Sequence, residues 1–393
     1  MKKVILSVFG LLAVSLSYGQ NTSNVAQTGN SDVANVVQTG KNDSKINQKT
    51  TGLVTTALNN DAEVMQTSAL SGAKNSSDIK QNGDGNKAKV TQNGNGNGAT
   101  IDQGVGFAEN NFAYTNQKGN ANTSSQLQRL DNNYATVQQN GNGNTATQKQ
   151  YSTNNGSASA AVATAGANKN KAEIYQGINP STYAAMNNLA EQMQDGVGNS
   201  GYISQSNKDN KAYQSQTGKS NDAKIWQDQI AGNGITGGAI LGSDWAKQTQ
   251  IGDENSATVD QGSTGSQYPS GILGSDIPAS FVGINPVGGH PVLDHGSNQA
   301  TQSQEGNKNT AYASQGGYKN SSSQVQMGNK NESYGFQFGD NNILKSKQDG
   351  TGNKEYVLQV GNANSSSLMQ SGMGHMSTVL QNGNANMSAV TQN

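Results

Sequence analysis

The chain has no cysteine in 393 residues, so disulfides and thiolate metal sites are excluded. It has five prolines, Pro180, Pro269, Pro278, Pro286 and Pro291, and none falls inside the periodic segments described below. Proline lacks the backbone donor that a β-ladder needs, so this distribution is what hydrogen-bonded strands require. Aromatic residues make up 5% and charged residues 13% of the chain. Hydrophobic residues reach only 31%, against roughly 45–50% apolar in ordinary globular domains on a count that includes glycine. A conventional aliphatic core is therefore not available. Net charge is −1, from 25 basic and 26 acidic residues. That balance leaves no electrostatic footprint for nucleic acid or an anionic membrane. Near-neutrality favours self-association instead. Composition alone fits a disordered low-complexity chain; the spacing of the residues does not.

Glutamine recurs every eleven residues at Gln304, Gln315, Gln326, Gln337, Gln348, Gln359, Gln370, Gln381 and Gln392. Two positions after the first eight stand Gly306, Gly317, Gly328, Gly339, Gly350, Gly361, Gly372 and Gly383. Five positions after them stand Asn309, Asn320, Asn331, Asn342, Asn353, Asn364 and Asn386, with His375 the one exception. A fixed period means one structural unit copied along an axis. An odd period cannot be one continuous strand, because side chains would change face at each copy. It predicts a strand followed by a turn that resets the register.

Read back from each glutamine, the unit is Asn-x-Ala-x-x-x-Gln, and it runs through nearly the whole chain. Upstream copies include Asn21 to Gln27, Asp32 to Gln38, Asn42 to Gln48, and those built on Gln81, Asn86, Gln92, Asn97, Gln250, Asn255 and Gln261. There are 28 copies if the weak one from Asn155 to Ala161 is included. Gln holds its position in 27 of them and Asn in 25; the small position is broken only by Leu344 and Glu355. Asn, Ala, the residue two before Gln, and Gln are spaced by two and share one face of a strand. That face carries almost no charge, so it is the inner one. Lys, Glu, Thr and Tyr fall between, as at Lys87, Lys89, Glu173, Lys224 and Tyr312, and the expected outer face is solvated.

The position two before Gln alternates Ile174, Gln192, Ile203, Gln214, Ile225, Gln248, Val259, Gln302 and fades after Gln324. Alternation implies a true period of 22 residues with two non-equivalent strands per rung. The expected fold is all-β: a two-strand-per-rung, strand–turn–strand β-solenoid of about 14 rungs, with parallel in-register ladders spanning roughly 65 Å. Amide side chains stack on their copies one rung away, so little aliphatic core is needed. The three longest connections follow odd-numbered copies, which predicts that odd-copy insertions all leave from one edge.

Residues 1–19 have the pattern of a secretory signal peptide: Lys2 and Lys3, an apolar run from Val4 to Leu16, then Ser17-Tyr18-Gly19. The chain then divides into repeats over 20–261, a Pro/Gly-rich insertion over 262–297, and regular repeats over 298–393. No later segment has the length to span a bilayer as a helix.

The unit Gln-x-Gly-x-x-Asn-x-Ala-x-x-x-Gln, as at Gln81 to Gln92, Gln250 to Gln261 and Gln304 to Gln315, resembles the curlin repeat of bacterial curli subunits. The resemblance implies a solenoid that polymerises into extracellular amyloid on Gram-negative bacteria, for biofilm matrix and adhesion. It also implies an outer-membrane secretion pore, a nucleator subunit and a periplasmic chaperone as partners. This chain has more repeats than family subunits usually carry, and Asn opens both half-repeats where the family opens one with Ser. No non-repeat targeting segment is identifiable between the signal peptide and Asn21. A minor nucleating subunit, or a monomeric carbohydrate-binding solenoid adhesin, are the alternative readings.

Catalytic chemistry finds little support. His290 and His295, with Asp294 and Ser297 nearby, lie in a Pro/Gly loop where sequence adjacency fixes no triad or metal geometry. His375 replaces a ladder asparagine. The Asn93–Asn97 segment is a turn of the repeat, without the strand–helix context of a phosphate loop. The expectation is no enzyme, no cofactor and no metal.

Overall fold

The computed structural model describes residues 21–29, 31–50, 59–151, 170–177, 185–206, 208–227, 242–261 and 296–393. Two parallel sheets face each other, and no helix occurs among the described residues. In spatial order the first sheet holds β1 (Thr22–Thr28), β3 (Asn42–Lys49), β5 (Asn75–Asp84), β7 (Gly98–Glu109), β9 (Thr123–Arg129), β11 (Thr145–Tyr151), β14 (Leu189–Val197), β16 (Lys211–Lys219), β18 (Trp245–Ile251), β20 (Gln299–Glu305), β22 (Ser321–Asn329), β24 (Ile343–Thr351), β26 (Ser365–Met373) and β28 (Met387–Gln392). The second holds β2 (Val33–Thr39), β4 (Asp61–Thr67), β6 (Lys87–Asn93), β8 (Phe112–Lys118), β10 (Tyr134–Asn142), β12 (Lys171–Gln176), β15 (Ser200–Gln205), β17 (Asp222–Gln227), β19 (Ser256–Gln261), β21 (Thr310–Gly316), β23 (Glu332–Phe338), β25 (Lys354–Val360) and β27 (Met376–Asn382). The two-residue β13 (Ala185–Met186) pairs with the end of β10.

Consecutive strands alternate between the sheets, so each rung is one strand, a turn and a second strand. Register follows the repeat: Gln304 pairs with Gln326, and Gln315 with Gln337. One irregularity falls between β5 and β7, after Gln81.

The copy from Asn155 to Ala161 lies outside the described residues, and the ladders close without it. β10 pairs directly with β12, and β11 directly with β14. That omission shifts the parity of every later copy and corrects the insertion argument. The connections after β3, β7 and β11 leave the first sheet, whereas those after β12, β17 and β19 leave the second. Without that copy the connection after β11, residues 152–170, is longer than those after β12 and β17, so the longest connections leave both sheets and the odd-copy rule does not hold.

Burial alternates as the spacing predicts; in β3, Asn42, Ser44, Ile46 and Gln48 are buried while the residues between them are exposed. Through the middle of the stack the aliphatic residues come from the second sheet. Val137, Ile174, Ile203, Ile225 and Val259 pack on Ala146, Ala190, Ala212, Ala246 and Ala300 of the first. Each fully buried Ile or Val contributes about 1.5–3 kcal/mol. The alanines let the sheets approach closely enough for that contact.

Two breaches of the small position are accommodated differently. Leu344 fills space that Gly335 leaves open on the facing strand, where a Cβ would lie 2.3 Å from Leu344 Cδ2. Glu355 is wholly buried, beside serines on the neighbouring strands.

The outer face departs from expectation near β21 to β25. Tyr312, Phe336, Phe338, Tyr356 and Leu358 occupy outward positions yet are buried. Their rings stack up the ladder, with Tyr334 on Tyr356 at 5.1 Å and Tyr312 beside Phe336 at 5.5 Å. Parallel in-register pairing sets identical positions one strand spacing apart, so aromatic residues repeated at one position form a second, smaller apolar cluster. The rest of the outer face mixes rung-to-rung ion pairs, such as Lys89–Glu63 at 2.9 Å, with smaller aromatic rows, such as Phe112 on Tyr134 at 5.0 Å; Lys354–Glu332, at 2.9 Å, flanks the aromatic cluster itself. Exposed pairs of this kind contribute little each.

Turns contain two left-handed residues. Gly306 has φ +111 and Lys308 has φ +60, and the pattern recurs at Gly317 with Lys319 and Gly328 with Lys330. The first position requires glycine: a Cβ on Gly350 would lie 1.9 Å from the Gly372 carbonyl oxygen of the next rung. The second does not; at Gly352 (φ +70) nothing lies within 4 Å of an added Cβ. Gly350→Ala should therefore destabilise by several kcal/mol, because a backbone atom cannot yield, whereas Gly352→Ala should cost about 1 kcal/mol. Thermal or denaturant melts of the two variants check this, and equal losses would show that the turns relax freely.

Candidate assembly interface

The interior is organised by columns of side-chain amides. In every rung Gln Nε2 donates to the Gln Oε1 of the next: Gln81 to Gln103 at 2.9 Å, Gln92 to Gln117 at 2.8 Å, Gln250 to Gln304 and Gln261 to Gln315 at 2.9 Å. The same column continues Gln304–Gln326–Gln348–Gln370–Gln392 in the first sheet, each step 2.8 Å. In the second sheet it continues Gln315–Gln337–Gln359–Gln381, at 2.8–2.9 Å. All these glutamines are buried except Gln392 on the last strand. The second amide hydrogen goes to backbone of the opposite sheet, as from Gln81 to Asp61 O at 3.0 Å. Each column thus ties rung to rung and sheet to sheet.

Asparagine columns run the other way. Asn97 N donates to Asn75 Oδ1 at 3.0 Å, Asn309 N to Asn255 Oδ1 and Asn331 N to Asn309 Oδ1 at 3.0 Å, and Asn353 N to Asn331 Oδ1 at 3.1 Å. Asn86 lies between Asn60 and Asn111 in the same manner, and Asn255 follows Asn221. On the other edge Asn320, Asn342, Asn364 and Asn386 form the continuing series. The asparagine Nδ2 reaches forward to a turn glycine carbonyl, as from Asn309 to Gly328 O at 2.8 Å. The turn glycines and the ladder asparagines are therefore one device. At His375 the backbone N–H still bonds Asn353 Oδ1, while ring Nε2 turns to Ser371 O at 2.9 Å.

Two columns escaped the sequence reading. A second glutamine column runs Gln126–Gln148–Gln192–Gln214–Gln248–Gln302–Gln324 at 2.8–3.0 Å. It is the physical basis of the Ile/Gln alternation, and it begins two rungs before Gln192. A column in the turns uses Asn or Asp three residues after Gln, with Asp340 N bonding Asn362 Oδ1 and Asn362 N bonding Asn384 Oδ1, both at 2.8 Å. The recurrence of Asn at 95, 120 and 142 was its signal.

Glu355 is the one carboxylate among the inner-face positions of the regular C-terminal repeats. Its Oε1 accepts from the Ser333 and Ser346 hydroxyls, and Oε2 has no hydrogen-bond partner among the described residues. Ser377 lies beside it on the next strand and no charged side chain faces it from β23, β24 or β27. Burial pushes its carboxyl up from 4.5 to about 7, against the opposing effect of the serine hydrogen bonds. An unfolded chain releases this proton near pH 4.5, the folded one near 7. Stability contributed by the protonated form is therefore complete below pH 4.5 and falls as pH rises to about 7, by about 3 kcal/mol. Glu355→Gln should flatten that fall in pH-dependent melts; an unchanged pH profile would place the titration elsewhere.

Gln326 and Gln348 are neighbours in one column, while Gln337 belongs to the other sheet. Changing all three to Glu should stop assembly at neutral pH, and Gln326→Glu with Gln348→Glu alone should suffice. Two carboxylates one strand spacing apart repel by about 3 kcal/mol at an effective dielectric of 20, and each loses a buried donor. Assembly should return when the carboxyls are protonated near pH 4; unchanged kinetics at pH 7 would show that this face is not buried.

His290 and His295 lie outside the described residues. Among the described residues no cluster of three or more His, Cys, Asp or Glu could hold a metal ion, and no helix is long and apolar enough to cross a membrane. No curated protein matches the chain. Residues 71–104 match the family model of the curlin associated repeat. That stretch spans the copies ending at Gln81, Gln92 and Gln103, whose amide columns and turns recur through the rest of the described ladder. The chain therefore carries the curlin associated repeat over residues 71–104, consistent with the curlin repeat family.

Proposed function

We propose that this protein is a secreted structural subunit that polymerises head to tail into curli-like functional amyloid fibres, serving biofilm matrix and adhesion. The observation that carries the reading is the pair of open ladder ends. Among the described residues, β1 and β2 at one end and β27 and β28 at the other are each paired on one edge only. An unpaired strand edge is a template for another chain. The ends are also complementary. Gln Nε2 always donates toward the C-terminal end, so Gln381 and Gln392 present donors there, while Gln27 and Gln38 present Oε1 acceptors at the other end. That polarity favours a heterologous, open-ended contact over a symmetric dimer. Family resemblance supports the extracellular, Gram-negative setting and the secretion pore, nucleator subunit and periplasmic chaperone as partners. The role is structural, with no catalytic step.

Purified mature chain should show thioflavin-T growth with a lag that preformed seeds shorten. A folded domain fused after Asn393 should shorten the fibres seen by electron microscopy. A monomer stable for days on gel filtration would instead support the carbohydrate-binding adhesin, and unshortened fibres from the fusion would overturn growth through that end.

A further inference from the structure

The two open ends step in the same direction, and that fixes how one copy can sit on the next. Gln81 in β5 donates to Asp61 O, at the start of β4, and to Asn86 O, just before β6, at 3.0 and 2.9 Å. Gln92 in β6 bonds in the same way to Ser76 O beside β5 and Asn97 O before β7, at 3.0 and 3.1 Å. Each strand therefore stands midway in height between two strands of the opposite sheet. The first sheet contributes 14 strands and the second 13 to the described ladder. As a result β1 protrudes half a spacing beyond β2, and β28 half a spacing beyond β27.

Stack a second copy with its first sheet continuing the first sheet. Its β1 then meets β28, but its β2 stands two spacings above β27. One strand position is empty, and Gln381 Nε2 has no amide above it. Turn the second copy by half a revolution about the axis and the gap closes. Its β1 then lies one spacing above β27 and its β2 one spacing above β28. Strands of the two sheets run in opposite directions, so the rotation keeps every junction pair parallel.

The interior accepts this exchange of sheets. Between Gln126 and Gln324 the sheets differ chemically, glutamine facing aliphatic residues. Toward both ends they converge, with Val25, Val36, Ile46 and Val64 at one end and Leu368, Val379 and Val390 at the other. The half turn sets Val25 over Val379 and Val36 over Val390. On the outer face it sets Val33, 50% exposed, over Met387, 86% exposed. We propose that successive copies in the fibre are related by a half turn about its axis, with β1 of one copy paired to β27 and β2 to β28 of the copy before it. This inference rests on the fibre reading above. Each copy advances 27 half-spacings, about 64 Å, and the second sheet's long insertions emerge on alternate sides along the fibre.

The chain has no cysteine, so introduced pairs report the junction directly. Asn24, Asn35 and Ala389 are exposed and hold the same position within their strands. In the half-turn junction Ala389 lies beneath Asn35; in the unrotated one it lies beneath Asn24. Fibres of the N35C/A389C variant, treated with a short bifunctional thiol reagent, should run as covalent multimers on a denaturing gel, and fibres of N24C/A389C should remain monomeric. Crosslinking of N24C/A389C alone, of both variants equally, or of neither in intact fibres would overturn the half turn while leaving the fibre standing. Absence of fibres in the unmodified chain would instead overturn the reading on which it rests.

Discussion

A primary amide carries a donor and an acceptor on one planar group, and its copy one strand spacing away has the same pair. Gln304, Gln326, Gln348, Gln370 and Gln392 satisfy one another at 2.8 Å without any second residue type. Buried polar groups are costly unless they are bonded. Here bonding is guaranteed by translation along the axis, and so are register and face. A slip of one residue would turn the whole row outward. The ladder thereby does the work that an aliphatic core does elsewhere, and 31% hydrophobic residues are sufficient.

Much of this was legible in the sequence, because translation is written as spacing. The inner face, the two-strand rung and the turn glycines all follow from Gln, Gly and Asn at fixed offsets. What was not legible depends on height or on neighbours far along the chain. The weak copy at Asn155–Ala161 reads as a unit, yet β10 and β12 already pair without it; only strand pairing reveals that. Tyr312 and Tyr356 sit at positions that alternate outward, but repeated aromatics on adjacent rungs bury one another. The left-handed residue before each Asn carried a weak signal, since Lys308, Ala363 and Gly352 all occupy it.

The breaches of pattern cluster in the same rungs. Leu344 borrows room from Gly335, and Glu355 finds two serine hydroxyls. Volume and polarity there are exchanged between facing strands rather than kept constant along one column. The stack tolerates a local departure because each rung is tied to its neighbours at many other positions.

Gln250 and Gln304 bond at 2.9 Å although 54 residues separate them. The column registers what is next in space and is indifferent to what the chain does in between. A detour at a turn therefore leaves the load path along the axis intact. Such an edge is a row of mounting points, where cargo of arbitrary length can be carried on a filament without weakening the filament itself.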